Sequence, residues 1–337
     1  MDAIAAYDMT KTFNDRGGVT AALQNINLQV PEGRAMACVG REGAGKTTLI
    51  RLLAGLSRPT FGECSVLGLS PSFETARLHG MVGTVLFSAK LYRTMSLWDN
   101  LLFFAGVHGV TKNDAVERAS FLMHRLHIWE DRDRKPGQLS TGELKRANLA
   151  RALLHRPRVL LMDEQGLGMD RETAERIREL LGYAVRKEGV TLLYCTQNMN
   201  YAQDICGSFG LLDQGRLIAR GDLESLRIGG GVRMKASLRL GTGQSGPEGF
   251  TLRDGFWYRE IGAEDEMPGL IAQVVGAGKS LYEARLIRPS LEEIYQAYLE
   301  GGRRREVLIH GETRAAQPAQ PTAPAPVRPA GAETEAF

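Results

Sequence analysis

The sequence predicts an α/β fold whose core is a mainly parallel β-sheet, followed by a small α+β region. Continuously apolar runs, which are typical of strands buried on both faces, alternate with segments of helical periodicity. The predicted strands are residues 35–39, 159–162, 191–195 and 209–212. The predicted helices are residues 112–126, 171–187 and 143–154. The last of these begins with Ser140 and Glu143, spaced as in a capping box.

The sequence character changes after about residue 228. Three predicted strands (232–240, 255–261 and 280–287) and one short helix (270–275) follow a Gly229–Gly231 run that we interpret as a hinge. A last helix is expected from Ser290, with Glu293 reaching back to its first turn. We therefore expect a domain at 1–228, a small α+β domain at 229–300 and a disordered Ala/Pro-rich tail at 301–337.

Composition excludes several classes of protein. With 43% apolar and 24% charged residues among 337, the chain is of ordinary globular type, neither fibrous nor wholly disordered. The net charge of +3 gives no reason to expect nucleic acid as a partner. Four scattered cysteines predict buried thiols in a reducing cytoplasm. The start of the chain does not resemble a signal peptide and no apolar run spans a membrane, so work at a membrane would need a partner.

A glycine-rich loop directly after the first apolar strand carries the strongest signal. Glycines allow backbone N–H groups to surround a phosphate at the start of a helix. A lysine there neutralises the β- and γ-phosphates, and the following hydroxyl is placed for Mg²⁺. The predicted phosphate-binding residues are Gly40, Arg41, Glu42, Gly43, Ala44, Gly45, Lys46, Thr47 and Thr48. The alternative is a glycine-rich surface turn.

Two carboxylates follow the apolar strand at 159–162. Ligands of open α/β sheets bind at this edge. Asp163 would hold Mg²⁺, together with Thr47, and Glu164 would activate the attacking water as a general base. Alternatively, both carboxylates cap the next helix.

Between these motifs lies the sequence LSTGE (139–143), and with it the chain resembles the ATP-binding subunit of an ABC transporter, whose signature is LSGGQ. Gly168, Met169 and Asp170 are similar to the family's D-loop, and Phe13 stands where an aromatic ring stacks on adenine. The resemblance covers about residues 4–228. It implies a P-loop NTPase cassette with a helical signature subdomain and an antiparallel β subdomain.

The same resemblance implies how the chain works. It would bind ATP and Mg²⁺ and pair with a second cassette, as a homo- or heterodimer, with Ser140 and Gly142 facing the partner's ATP. It would drive a separate membrane permease, and so lie in the cytoplasm on the inner face of the membrane. Residues 91–92 and 99–104 resemble the subgroup that pairs with short export-type permeases. The ending Pro289–Tyr295 is similar to the C-terminal extension of drug- and antibiotic-export cassettes, so an exporter is expected.

Two positions depart from the family pattern. Phe87 replaces the glutamine of the Q-loop, and Gln197 replaces the switch histidine. Gln197 can donate a hydrogen bond to the γ-phosphate but cannot share a proton with Glu164. We consider two interpretations, tolerated drift and impaired hydrolysis. Under the second, the chain is the degenerate-site half of an asymmetric pair, because its signature is kept. Glu143 and the pair Gln165–Gly166 also differ from the pattern.

Two other functions compete with a transport ATPase. The first is an ATP-binding regulatory or assembly protein with little turnover, which Phe87 and Gln197 would suit. The second is a soluble ABC ATPase acting on DNA or ribosomes. A single cassette, the absence of a long coiled coil and the balanced charge count against this last class.

Overall fold

The computed structural model describes residues 1–15, 18–86, 91–163 and 170–301. The strands are β1 (Asp2–Asp15), β2 (Gly18–Pro31), β3 (Ala35–Val39), β4 (Phe61–Val66), β5 (Val82–Val85), β6 (Val159–Asp163), β7 (Thr191–Thr196), β8 (Ser208–Asp213), β9 (Arg216–Gly221), β10 (Met234–Leu240), β11 (Thr251–Arg253), β12 (Phe256–Ile261) and β13 (Leu281–Ile287). The helices are α1 (Lys46–Leu53), α2 (Thr75–His79), α3 (Leu97–Val107), α4 (Lys112–Arg125), α5 (Thr141–Leu153), α6 (Arg171–Glu188), α7 (Met199–Ile205), α8 (Leu223–Gly230), α9 (Glu266–Gly276) and α10 (Leu291–Glu300).

The central sheet has the strand order β5-β6-β7-β3-β8-β9. All of its neighbouring strands are parallel except β8 and β9, which confirms the predicted α/β class. Alternate residues of a strand face opposite sides. Tyr194 therefore joins the hydrophobic cluster on one face, and Leu193 and Cys195 join the cluster on the other.

Two further layers complete the cassette. The antiparallel sheet β2-β1-β4 shares a hydrophobic cluster with α1, and helices α3, α4 and α5 contact one another on the opposite face of the central sheet. The capping box predicted for α5 is present, since Ser140 and Glu143 exchange backbone and side-chain hydrogen bonds. No helix in the described part of the chain is both long and apolar enough to cross a membrane.

The C-terminal region contains the antiparallel sheet β11-β12-β10-β13 and helix α9. The expected hinge is wrong in part. Gly229 and Gly230 lie inside α8, and only Gly231 adopts the left-handed conformation, with φ 69° at the helix end. Gly230 lies close to the ring of Tyr298, and an ideal Cβ there would stand 3.1 Å from its Cε2 atom. The close approach of α8 to α10 explains this glycine better than flexibility does.

Helix α10 packs with the cassette rather than with the sheet that precedes it. Its apolar side chains belong to the large hydrophobic cluster that also contains the buried residues of α3 to α7. These side chains are Leu291, Ile294, Tyr295 and Tyr298. The sheet β10–β13 and α9 have small clusters of their own. The hydrophobic cores therefore group α10 with residues 1–228, whereas the domain boundary at 229 stays a prediction.

Candidate functional site

Three neighbouring strands bring the predicted site residues to one edge of the central sheet. Asp163, the last residue of β6, pairs with Cys195 of β7, and Val39, the last residue of β3, pairs with Thr196. The residues that follow, Gly40 and Gln197, therefore leave the sheet at the same carboxyl edge as Asp163. This is the edge at which open α/β sheets bind ligands.

The loop between β3 and α1 depends on glycine at defined positions. Gly43 and Gly45 have φ values of 77° and 103°, which side chains rarely adopt. Gly45 also lies against β2, where a Cβ would stand 2.6 Å from the carbonyl oxygen of Ala22. At Gly40, an ideal Cβ would stand 2.2 Å from the carbonyl oxygen of Leu212, so the backbone leaves no room for a side chain there. Among the remaining loop residues, Arg41 and Glu42 are exposed and Ala44 is buried.

Lys46 begins α1 and is 7% exposed. Its Nζ atom donates hydrogen bonds to the carbonyl oxygens of Gly40 (2.6 Å) and Arg41 (2.7 Å). Burial lowers the pKa of Lys46, and the nearby carboxylate of Asp163 acts in the opposite direction. The loop thus holds a buried cation at its centre, where a phosphate group would be its natural partner.

Asp163 and Thr47 form the second part of the site. The Asp163 carboxylate accepts a hydrogen bond from the Thr47 hydroxyl group, and its Oδ1 atom is buried with no partner in the described ranges. Burial raises the pKa of Asp163, while the bond from Thr47 and the charge of Lys46 lower it. A buried carboxylate oxygen beside a hydroxyl group is a donor set that suits a hard cation such as Mg²⁺.

The predicted catalytic residues are only partly described. Gln197 is exposed, directly after β7, and Asn198 next to it caps α7 by accepting a hydrogen bond from the Tyr201 amide at 3.0 Å. Glu164 and Phe87 lie outside the described residues, as do Gln165, Gly166, Gly168 and Met169 of the other predicted features.

The signature residues lie in the helical layer. Ser140 caps α5: its amide donates to a carboxylate oxygen of Glu143 at 2.6 Å and its hydroxyl group accepts from the Glu143 amide at 3.2 Å. Hydrogen bonds from the backbone amide and the side chain of Ser140 to the Glu143 carboxylate lower the pKa of Glu143, and the charge of Arg134 acts in the same direction. A Cβ on Gly142 would stand 2.5 Å from Thr173 Oγ1, so a glycine is required where α5 meets α6.

Phe13 lies on β1 near the loop. Lys11, two residues before it, pairs with Leu23, and a methyl group of Leu23 lies 2.7 Å from an ideal Cβ on Gly45. The Phe13 ring is 46% exposed and has the Lys11 ammonium 5.0 Å from its centroid. An exposed ring beside a phosphate loop can stack on a base.

Sequence reasoning missed one contact of the loop. Gln296 of α10 accepts a hydrogen bond from Arg41 Nη2 at 3.0 Å, and Tyr295 lies next to it. The apolar spacing of α10 indicates a helix face that must be buried. The sequence carries no signal for the surface that buries this face.

Comparisons with known proteins agree with this geometry. Residues 23–165 match the family model described as ABC transporter. The methionine import ATP-binding protein MetN of Streptomyces avermitilis is 30% identical over 273 residues, which cover 77% of this chain and 78% of that protein. The ABC transporter ATP-binding protein NatA of Bacillus subtilis is 31% identical over 66% of this chain and 91% of its own.

A solved structure of similar fold is also an ATP-binding cassette. A dimeric ATP-binding cassette in a post-hydrolysis state, bound to ADP and Pi, matches with a TM-score of 0.60 and 25% identity, over 65% of this chain and 98% of its own. The MetN name gives no support to the predicted export subgroup. With the phosphate loop, the buried Asp163 and the capped signature helix in place, these matches show that the chain belongs to the family of ABC transporter ATP-binding proteins.

Proposed function

We propose that this chain binds Mg-ATP at its phosphate loop and hydrolyses it to drive a separate membrane permease. The observation that carries the proposal is the convergence of Lys46, Thr47 and Asp163 at one edge of the sheet, with a carboxylate oxygen left unpartnered among the described residues. ABC cassettes related to this chain are ATPases coupled to transport and act with permease subunits.

The residues divide the chemistry among them. Backbone N–H groups of 43–48 and the Lys46 ammonium bind the β- and γ-phosphates. Thr47 and Asp163 would hold Mg²⁺, which when bound would neutralise charge on the phosphate oxygens. Glu164 accepts the proton of the attacking water, and Gln197 donates a hydrogen bond to the γ-phosphate.

Binding of the base is assigned to Phe13. Stacking on adenine is worth about 1–3 kcal/mol, so Phe13→Ala should weaken Mg-ATP binding by that amount. Phe73→Ala is the matched control, because Phe73 is also exposed with a cation near its ring. Equal affinities of the two variants for Mg-ATP would remove Phe13 from the site.

The signature residues of this chain are proposed to act on the ATP of a second cassette. We propose a dimer in which Ser140 and Gly142 face the ATP of the partner, as a dimeric arrangement is known for a related cassette. The positive end of the α5 dipole then favours the partner's γ-phosphate, although the charged Glu143 in the same turn reduces this effect.

Contact with the permease is proposed for an exposed aromatic cluster in the helical layer. Tyr92 and Phe103, with their ring centroids 5.2 Å apart, are 49% and 41% exposed, and Phe104 stacks on Tyr92. Exposed aromatic clusters are frequent anchors of protein interfaces. The chain would thereby lie at the inner face of the membrane, held there by its permease.

The direction of transport is the finer part of the proposal. The ending Pro289–Tyr295 resembles export cassettes and favours an exporter, whereas the MetN relatives are named for import. Inside-out vesicles that contain the assembled complex distinguish the two. With ATP outside, an exporter accumulates a drug probe such as ethidium in the lumen. An importer instead releases preloaded radiolabelled methionine from the lumen.

The chain is further proposed to be the degenerate-site half of an asymmetric cassette pair, because Phe87 and Gln197 replace the family's Q-loop glutamine and switch histidine while the signature is kept. The competing function is an ATP-binding regulatory or assembly protein with little turnover. Affinity purification from solubilised membranes tests both. Recovery with a permease and a second cassette supports transport, and recovery with soluble proteins alone supports the alternative.

A further inference from the structure

Helix α10 reaches the phosphate loop from outside the cassette sequence. The hydroxyl group of Tyr295 donates a hydrogen bond to the carbonyl oxygen of Leu212 at 3.1 Å and accepts one from the backbone amide of Arg41. Gln296, the next residue, accepts the bond from Arg41 Nη2. Two adjacent side chains of α10 therefore hold the same residue of the loop.

This contact is buried, and further contacts of α10 hold it in place. Tyr295 is fully buried, and the carbonyl group of Leu212 that it binds also lies against Gly40, the first residue of the loop. At the start of the helix, the Leu291 amide donates to Gln203 Oε1 of α7 at 3.1 Å. Helix α10 thus joins the phosphate loop to the helix that follows Gln197.

We infer that Tyr295 and Gln296 are positioning residues that hold Arg41 and the start of the phosphate loop, and so couple Mg-ATP binding to the docking of α10. The inference rests on the proposed function of the loop. Neither residue needs to touch the nucleotide.

The expected direction of the coupling follows from Lys46. In this structure Lys46 Nζ also holds Gly40 and Arg41, through their carbonyl oxygens. When Lys46 binds phosphate instead, those bonds are lost and the bonds from α10 remain to hold the start of the loop. Docked α10 therefore favours the ATP-bound loop. Since coupling is reciprocal, Mg-ATP must stabilise the docking of α10 by the same factor.

The coupling extends to the C-terminal sheet. Only residues 288–290 separate β13 from α10, and Arg288 is paired with Glu264 at 2.6 Å, just before α9. A movement of the β10–β13 sheet would therefore act on α10 through this short connection.

The test uses the full-length chain and single substitutions. Tyr295→Phe removes one hydroxyl group and Gln296→Leu removes one acceptor, whereas Gln296→Glu keeps an acceptor for Arg41. Tyr282→Phe and Gln273→Leu are matched controls at exposed positions of β13 and α9. Three quantities are measured: the Kd of Mg-ATP by calorimetry, the melting temperature without nucleotide, and hydrogen exchange of residues 291–300 with and without Mg-ATP.

We expect Tyr295→Phe and Gln296→Leu each to weaken Mg-ATP binding about two- to tenfold, the usual effect of one hydrogen bond. Gln296→Glu and both controls should keep the wild-type Kd. Mg-ATP should slow exchange in α10 of the wild type and less so in the two weakened variants. Gln296 is only half-buried, so Gln296→Leu carries the test if Tyr295→Phe fails to fold.

Three results would overturn the inference. If the variants melt at lower temperature but bind Mg-ATP with the wild-type Kd, α10 has a structural role only. Unchanged exchange of α10 on addition of Mg-ATP would lead to the same conclusion. If the wild-type chain itself fails to bind Mg-ATP, the proposed function fails and the inference fails with it.

Discussion

The ammonium group of Lys46 donates a 2.6 Å hydrogen bond to the carbonyl oxygen of Gly40, six residues earlier in the same loop. The loop therefore closes around its own cation, which burial makes harder to keep charged. A bound phosphate would place a full negative charge next to the ammonium group, whereas the carbonyl oxygens carry only partial negative charges.

Lys46→Ala should weaken Mg-ATP binding by at least about tenfold, because bonds to a charged group contribute about 1.5–3 kcal/mol each. The measurement is a calorimetric titration. Lys112→Ala, at an exposed position in the first turn of α4, is the control and should bind as the wild type does. Undiminished affinity of Lys46→Ala for Mg-ATP would place the phosphates elsewhere.

Asp163→Asn should weaken Mg-ATP binding but raise the melting temperature of the nucleotide-free chain at neutral pH. Burial raises the pKa of Asp163, so the folded state binds the proton more tightly than the unfolded state. Keeping the carboxylate charged then costs stability at pH 7, and the cost disappears as the pH falls through the raised pKa. The asparagine keeps an acceptor for Thr47 and carries no charge.

Calorimetric melting of wild type and Asp163→Asn at several pH values tests this trade-off. The gain from Asp163→Asn should shrink as the pH is lowered, because the wild-type carboxyl group then becomes neutral as well. A variant that melts below the wild type at neutral pH would show that the carboxylate stabilises the empty site.

Two truncated chains should distinguish the contribution of α10 to stability from that of the tail. A chain ending at residue 228 loses the buried side chains of α10, each worth about 1.5–3 kcal/mol, and should melt well below the full-length protein. A chain ending at residue 301 keeps α10 and should melt at the full-length temperature. Similar melting of the chain ending at 228 would mean that the cassette folds without α10, as the boundary at 229 predicts.

His155 should make the protein sensitive to mild acid. Burial and the stacked ring of His108, with centroids 3.9 Å apart, lower the pKa of His155 to about 4 from 6.5. As the pH falls below about 6.5, the unfolded chain binds the proton first, so stability should fall between pH 6.5 and 4.

His155→Phe should flatten this part of the pH profile of the melting temperature, because phenylalanine fills the stack without titrating. His124→Phe is the control, since His124 is exposed and also stacks on an aromatic ring, that of Trp129. The same loss of pH dependence in both variants would argue against a specific role of His155.

Much of this fold and site could be predicted from the sequence, because its signals are local. The apolar runs of β3, β6, β7 and β8 agree with the structure to within one residue at each end, and the capping boxes of α5 and α10 are present. The placement of α10 could not be predicted. Its apolar face specifies burial, but the choice between the C-terminal sheet and the cassette depends on packing that no local pattern encodes. The prediction that Gly230 belongs to a hinge is wrong for the same reason, because its close approach to Tyr298 of α10 has no signal in the local sequence.

The last prediction concerns the degenerate site. If hydrolysis is impaired, the purified chain should bind Mg-ATP and release phosphate slowly. Gln197→His together with Phe87→Gln should then raise the rate more than the two single changes combined, because both groups act on one water and one γ-phosphate. Losing such a group typically costs about 10²–10⁴ in rate, so the gain should be measurable.

Ser140→Ala separates this chain's own site from its partner's. It should leave the affinity of the isolated chain for ATP unchanged, at a cost of about 1 kcal/mol in stability from the lost helix cap. In the assembled complex it should depress hydrolysis, because Ser140 would face the other nucleotide. Glu164→Gln controls for contaminating ATPases in every assay. Brisk hydrolysis by the isolated wild-type chain that Glu164→Gln abolishes would refute impairment, and Phe87 and Gln197 would then be tolerated substitutions.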